Sequence, residues 1–194
     1  TYSNAEIVNN IEIVGNNRIS KETVSVYGEI VLGKDYNNED LNLILKKLYS
    51  TNFFEKIDLK LINKTLKINL KEYSVINSIS LDGESSNKIK SLILERLSLK
   101  TRESFILSQL NKDIQLIKKI YSSMGYNFAK VEAKLENFSE NRVNISFQID
   151  KGKLLYIKKI DFIGDKKIKE SRLRDVIVSE EKKFLEIFVK KYIF

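Results

Sequence analysis

The chain repeats itself, and the repeat limits what it can fold into. Gly15, Gly83 and Gly164 each close the same short pattern. An apolar residue stands two places before each glycine (Ile13, Leu81, Phe162), another four before (Ile11, Ile79, Ile160) and a third seven before (Val8, Ile76, Ile157). Gly83 follows Gly15 by 68 residues, and Gly164 follows Gly83 by 81. Three matched columns around three glycines define a unit of roughly 70–80 residues, small but large enough to fold alone.

Each unit can be read element by element. The approach to the first glycine alternates, with Ile11 and Ile13 on one face and Glu12 on the other, which predicts a half-buried strand. Glycine gives the backbone the freedom to leave that strand sharply. A helix follows. Ser20 offers a cap before Lys21 to Tyr27. In the second unit Ile89, Leu92, Ile93 and Leu97 form an apolar stripe at helical spacing, and in the third Leu173, Val176 and Ile177 do so, with Ser171 nearby as a cap.

A second helix is predicted in the first two units. Asn37 or Asn38 caps it in the first, with Glu39 and Asp40 in the opening turn, where the helix dipole favours negative charge. Its stripe is Leu41, Ile44, Leu45 and Leu48, and the counterpart is Leu110, Ile114, Ile117 and Tyr121, ended near Gly125. The helix exits match as Leu48-Tyr49-Ser50-Thr51 with Ile120-Tyr121-Ser122-Ser123. Aromatics follow in both: Phe53 and Phe54, then Tyr126 and Phe128.

A strand pair closes each unit. Ile57, Leu59 and Leu61 alternate with Lys56, Asp58 and Lys60, and after a turn at Asn63-Lys64 the residues Leu66, Ile68 and Leu70 alternate with Lys67 and Asn69. In the second unit Val131, Ala133 and Leu135 alternate with Lys130, Glu132 and Lys134, the turn falls at Ser139 to Asn141, and Val143, Ile145, Phe147 and Ile149 complete the hairpin. The expected fold is therefore α+β: tandem β-α-α-β-β modules, two helices packed on a three-stranded mixed sheet with its other face wet. Expected domains are 7–73, 74–152 and an incomplete start of a third at 154–194, so the sequence reads as part of a longer protein. Lys182 to Phe194 is expected to be poorly ordered, or docked on a neighbour through Phe184, Leu185, Ile187 and Phe188. Short linkers near Glu72-Tyr73-Ser74 and Asp150-Lys151-Gly152-Lys153 should allow only limited articulation.

Composition removes whole classes of chemistry. The 194 residues include no Cys and no His, so the usual zinc, iron and copper ligand sets, thiol nucleophiles and imidazole bases are excluded. Glu39/Asp40 and Glu180/Glu181 are sequence neighbours that do not face one another on a helix, and no phosphate-binding or dinucleotide fingerprint occurs. No enzymatic activity, cofactor or metal is expected. No apolar run approaches the ~18–20 residues of a membrane-spanning helix, and Thr1-Tyr2-Ser3-Asn4 lacks the opening of a signal peptide.

The formal charge of +8 raises a nucleic-acid-binding α+β module as the alternative of another class. However, Lys is interspersed with Glu and Asp along the chain, no Gly-x-x-Gly clamp occurs, and stacking aromatics on a sheet are not evident, so no nucleic acid is expected. The run Lys166-Lys167-Ile168-Lys169 reads as a solvated helix start.

Several of these segments resemble a known family. Val8-Asn9-Asn10-Ile11-Glu12-Ile13-Val14-Gly15-Asn16-Asn17-Arg18-Ile19-Ser20 is similar to the opening of a POTRA (polypeptide-transport-associated) domain. Leu48 to Ile57 resembles its junction between second helix and second strand, and Tyr121 to Tyr126 repeats that junction. Ile160 to Asp165 restarts the pattern, and Leu173 to Ile177 fits the next helix. Taken together, Ile7 to Ile177 resembles the POTRA string of the BamA family of outer-membrane β-barrel assembly factors in Gram-negative bacteria. Two-partner secretion pores and TamA-type transporters share the unit, but three modules opened by this phrase favour the BamA family.

The resemblance implies a periplasmic scaffold that receives unfolded outer-membrane proteins and docks accessory lipoproteins. A C-terminal membrane barrel would lie outside this sequence. In such a unit the middle strand usually lies at a sheet edge, open to an extended peptide that adds as a further strand. The candidate polypeptide-binding residues are Glu55, Lys56, Ile57, Asp58, Leu59 and Lys60 in the first module, and Lys130, Val131, Glu132, Ala133, Lys134 and Leu135 in the second. The alternative for each strand is a charged edge that only resists aggregation. Tyr49, Phe53, Phe54, Tyr121, Tyr126 and Phe128 are expected in the core rather than in an exposed client-binding patch.

Overall fold

A computed structural model of the chain describes residues 6–139, 141–156 and 172. The elements run β1 (Glu6–Ile7), β2 (Asn10–Val14), α1 (Lys21–Gly28), β3 (Asp35–Tyr36), α2 (Asn38–Ser50), β4 (Phe54–Ile62), β5 (Thr65–Glu72), β6 (Val75–Asp82), α3 (Asn87–Arg96), α4 (Leu107–Ser123), β7 (Lys130–Ser139) and β8 (Arg142–Asp150). The order β-α-α-β-β thus occurs twice. The readings made for the third unit, including Lys166 to Lys169 and Lys182 to Phe194, lie outside the described residues.

Two three-stranded sheets result, ordered β2-β5-β4 and β6-β8-β7. In the first, β2 pairs with β5 in parallel and β4 pairs with β5 antiparallel, so the sheet is mixed. Asn63 and Lys64 turn the β4–β5 hairpin at φ +49° and +59°, the left-handed pair a two-residue type I′ loop requires. The two-residue strands β1 and β3 form a small antiparallel ribbon that the sequence reading did not anticipate.

Local signals set the helices. The Ser20 Oγ accepts from the Thr23 amide at 3.1 Å and starts α1. Of the two candidate caps for α2, Asn37 takes the role: its Oδ1 accepts from Glu39 and Asp40 amides at 2.8 and 2.9 Å, while Asp40 accepts from the Asn37 amide at 3.0 Å. That backbone bond is the main reason the Asp40 carboxyl sits below its ordinary pKa, with burial opposing and Lys34 assisting. The α2 stripe buries Ile44 and Leu48, with Leu41 and Leu45 partly covered, against Val8, Ile13, Val24, Phe54, Leu66 and Ile68.

The chain divides into two compact units, one of Thr1–Ile79, Leu99–Leu110 and Leu135–Ile145, the other of Ser80–Ser98, Asn111–Lys134 and Ser146–Phe194. Each unit holds a buried carboxylate clasp that uses a residue the sequence suggested was part of a linker, Glu72 in one and Lys151 in the other. In the first, Glu72 closes β5, and its carboxylate accepts from the amides of Asn17, Arg18 and Ile19 at 2.8 to 3.2 Å, with Arg18 Nε also 3.2 Å away. In the second, Glu84 follows Gly83 and accepts from the Ser86 amide at 2.7 Å, the Tyr121 hydroxyl at 2.6 Å and Lys151 Nζ at 2.9 Å. Glu72 and Lys151 are therefore tied to loops and do not act as spacers. They are also equivalent, each standing two residues after the carbonyl that faces the repeat glycine (Leu70, Ile149). The same lock is built with opposite polarity: an acid at the end of the strand in one unit, a base just beyond the strand in the other.

Burial alone would raise the Glu84 pKa, but the Tyr121 hydroxyl, the Ser86 amide and Lys151 together hold it below the ordinary value of 4.5. Burial and the facing carboxylate push Tyr121 upward, so its hydroxyl stays protonated and donates. With the folded value depressed, the Glu84 contribution is complete above about pH 4.5 and is lost as pH falls through the lowered value. Urea melts read by amide signals of the second unit should therefore show a flat Glu84-dependent term from pH 7 to 5. Below that, wild type should decline more steeply than Glu84→Gln.

Candidate functional site

An edge strand presents every second N–H and C=O to solvent, and which residues do so follows from the ladder. β4 ends the first sheet, bonded only to β5 among the described residues. Ile62 and Thr65 close the two-residue hairpin, which makes them a hydrogen-bonded pair. Counting back, Lys60, Asp58 and Lys56 point their backbone groups at Lys67, Asn69 and Lys71, while Leu61, Leu59 and Ile57 point theirs outward. One bond confirms the parity: the Ile57 amide donates to the Tyr49 hydroxyl at 3.0 Å instead of to β5. Among the described residues, nothing else bonds the outward groups of Leu59 and Leu61.

The side chains of β4 obey the same alternation. Ile57 is buried and Leu59 and Leu61 are half-buried toward the helices, while Lys56 and Lys60 are exposed on the wet face. There Glu55 pairs with Lys71 at 2.7 Å, Asp58 with Lys60 at 3.2 Å and Glu12 with Lys67 at 3.3 Å. A register shift between Phe54 and Lys56 leaves Glu55 without a ladder partner, a bulge that confines any regular edge to the strand beyond it.

β7 holds the matching edge position in the second sheet. Val131 is buried and Ala133 half-buried, while Lys130, Glu132 and Lys134 are exposed. Leu135, expected on the covered face, is instead 42% exposed: from Lys134 to Ser139 the strand is exposed at every residue, so alternation there no longer separates a dry side from a wet one.

The first strand of each repeat also lies at an edge, but its start is occupied. The Val8 amide donates to Lys34 at 3.0 Å, and Val8 accepts from Gly33 at 2.7 Å. In the second repeat the Ile76 amide donates to Glu103 at 2.9 Å, and Ile76 accepts from Arg102 at 2.8 Å. Val8 and Ile76 are the equivalent positions of the repeat, so the segment between the helices covers the first strand both times.

The six aromatics separate. Phe54 and Tyr121 are fully buried, and Phe53 and Tyr126 are half-buried, stacked edge-on at 6.3 Å against Phe54 and Tyr121 respectively. Tyr49 and Phe128 are exposed at 43% and 71%, contrary to the core expectation. For Tyr49 the reason is a frame shift in the repeat. The left-handed residues that end α2 and α4 are Asn52 and Gly125, which aligns Leu48, not Tyr49, with Tyr121. Leu48 and Tyr121 are both wholly buried. Tyr49 lies one residue further round the helix and, with Asn42, Leu45, Lys46 and Ser50, lines a shallow depression on α2. Among the described residues there is no cluster of acidic side chains able to hold a metal ion, and no helix is long and apolar enough to cross a membrane.

Residues 74–152 match the POTRA family, described as a surface antigen variable number repeat. The chain is 26% identical over 186 residues to the outer membrane protein assembly factor BamA of Neorickettsia risticii, covering 95% of this chain and 25% of that protein. It is 27% identical over 168 residues to BamA of Neisseria meningitidis serogroup B, covering 86% of this chain and 21% of that one. The chain thus spans a quarter or less of these curated relatives' length. Among solved structures, the N-terminal domain of Omp85 from Thermosynechococcus elongatus is similar with a TM-score of 0.49 and 12% identity, covering 95% of this chain and 81% of that one. Residues 74–152 thus match the POTRA family, and the chain over most of its length is similar to the BamA outer membrane protein assembly factors.

Proposed function

We propose that modules 7–73 and 74–152 belong to the polypeptide-binding scaffold of an outer-membrane protein assembly machine. They would stand in the periplasm, receive unfolded outer-membrane proteins, dock accessory lipoproteins and carry no catalytic activity, with a membrane barrel supplied elsewhere in the protein. Extended client segments add as a further strand at β4 and at the matching edge β7. The observation that carries this reading is the outward backbone of Leu59 and Leu61, unbonded among the described residues, at the edge of a three-stranded sheet. Backbone pairing reads few side chains, which suits a scaffold for many β-rich clients. The mixed charges at Glu55, Lys56, Asp58 and Lys60 discourage self-association of the same edge.

An NMR titration tests it. A peptide from the last strand of an outer-membrane barrel should shift amides within 55–62 or 129–137 and leave the helices' solvent faces unmoved. Salt-sensitive shifts with single-stranded RNA, together with silence toward the peptide, would overturn the reading.

A further inference from the structure

The open edge of β4 is not open along its whole length. Tyr49 sits in the last turn of α2 and spends its hydroxyl on the strand beside it, accepting the outward amide of Ile57 at 3.0 Å. Ile57 is the first outward-facing ladder position after the bulge at Glu55, so the hydroxyl occupies the bond with which an added strand would begin. The next outward positions, Leu59 and Leu61, have no such partner among the described residues. The second module lacks the device. The residue three places before its left-handed helix end is Ser122, whose short hydroxyl bonds Asn127 at 2.7 Å.

We propose that Tyr49 is a register plug: it blocks the Ile57 position and makes an extended peptide start its pairing at Leu59. The proposal rests on the strand-addition reading above and names the residue that sets where addition starts. A strand that displaces the hydroxyl exchanges one hydrogen bond for another and gains little, whereas a strand that meets a free Ile57 amide gains a bond outright. Tyr49 is therefore a positioning residue, and it makes the first module's edge shorter than its sheet.

Tyr49→Phe removes the hydroxyl and keeps the ring; Tyr49→Ser copies the second module and removes both. Two readouts on the full 194-residue chain separate the possible failures. Without peptide, amide exchange at Ile57 should be slower than at Leu59 and Leu61 in wild type and rise to their level in both variants. Equal exchange of Ile57 in wild type and Tyr49→Phe would overturn the plug whatever peptides do. With a barrel-strand peptide, both variants should bind about 2- to 10-fold more tightly, the factor expected of one net hydrogen bond, and the footprint should grow to include Ile57. An unchanged affinity and footprint in the variants would overturn the register role while leaving strand addition standing. Failure of the peptide to bind any of the three proteins would overturn strand addition, and the register role with it.

Discussion

Glu72→Ala is expected to lower the unfolding free energy of the first module by about 3–5 kcal/mol, the loss typical of removing one partner from a buried charged network. The magnitude follows from what the carboxylate holds. Its side chain is wholly inaccessible, and it accepts three consecutive amides, Asn17, Arg18 and Ile19, besides facing the Arg18 guanidinium. Those amides belong to the loop between Gly15 and the Ser20 cap. Removing the acceptor leaves part-buried donors without partners at the place where the chain must turn from β2 into α1. Each orphaned donor costs on the order of 1–3 kcal/mol, moderated by whatever water reaches the cavity.

Glu72→Gln keeps one acceptor oxygen and the shape, so it should lose less, about 1–3 kcal/mol. By contrast Glu12→Gln, on the wet face with Lys67, should change stability by less than about 0.5 kcal/mol, because both side chains are roughly half exposed. Urea unfolding followed at the amides of Ile68 and Leu70 gives all three values, with an unchanged m-value as the sign that stability alone has moved. A Glu72→Ala loss as small as that of Glu12→Gln would mean that water enters and replaces the carboxylate.

How far this was readable from sequence depends on the length scale of each feature. Strands with several alternating residues, such as Leu66, Ile68 and Leu70, declare their face directly, and Ser20 and Asn37 declare their helices by side-chain chemistry. The edge positions of β4 and β7 came from the order of elements, not from any residue. The ribbon of β1 and β3 was invisible because two residues cannot show a period. The expectation for Tyr49 fails because the similar text, Leu-Tyr-Ser against Ile-Tyr-Ser, aligns the helix ends one residue out of step. The left-handed caps Asn52 and Gly125 give the true frame, and one residue of slip turns a helical side chain by about 100°. Glu72 and Lys151 looked like linker residues because each is polar and follows a hairpin. A usable signal was present: they occupy the same place after Leu70 and Ile149, and the loops they meet carry the opposite charges, Arg18 and Glu84.

The glycines that revealed the repeat should also be its most sensitive positions. Gly15 and Gly83 adopt φ +86° and +90°, and a Cβ built on either would fall 2.0 or 2.1 Å from a backbone carbonyl oxygen, that of Leu70 or Ile149. Two costs then add. An L-residue held at such a φ is strained by about 1–2 kcal/mol. The added methyl must also displace a strand end, and overpacking of that kind costs about 1–3 kcal/mol. Neither carbonyl is at the tip of a flexible side chain that can swing away, so Gly15→Ala and Gly83→Ala should each destabilise their own module by about 2–5 kcal/mol. Gly33 separates the two terms. It sits at φ +81° but nothing lies within 4 Å of its Cβ position, so Gly33→Ala should show the strain alone, about 1–2 kcal/mol. Thermal unfolding of the three alanine variants, followed by amide signals of each module, measures both parts. Equal and large losses at Gly15 and Gly83, well beyond Gly33, would mean that the glycine is kept in each repeat because the strand end passes too close for any side chain. If Gly15→Ala costs no more than Gly33→Ala, the β5 end yields to the methyl, and the repeat's glycines serve their turns alone.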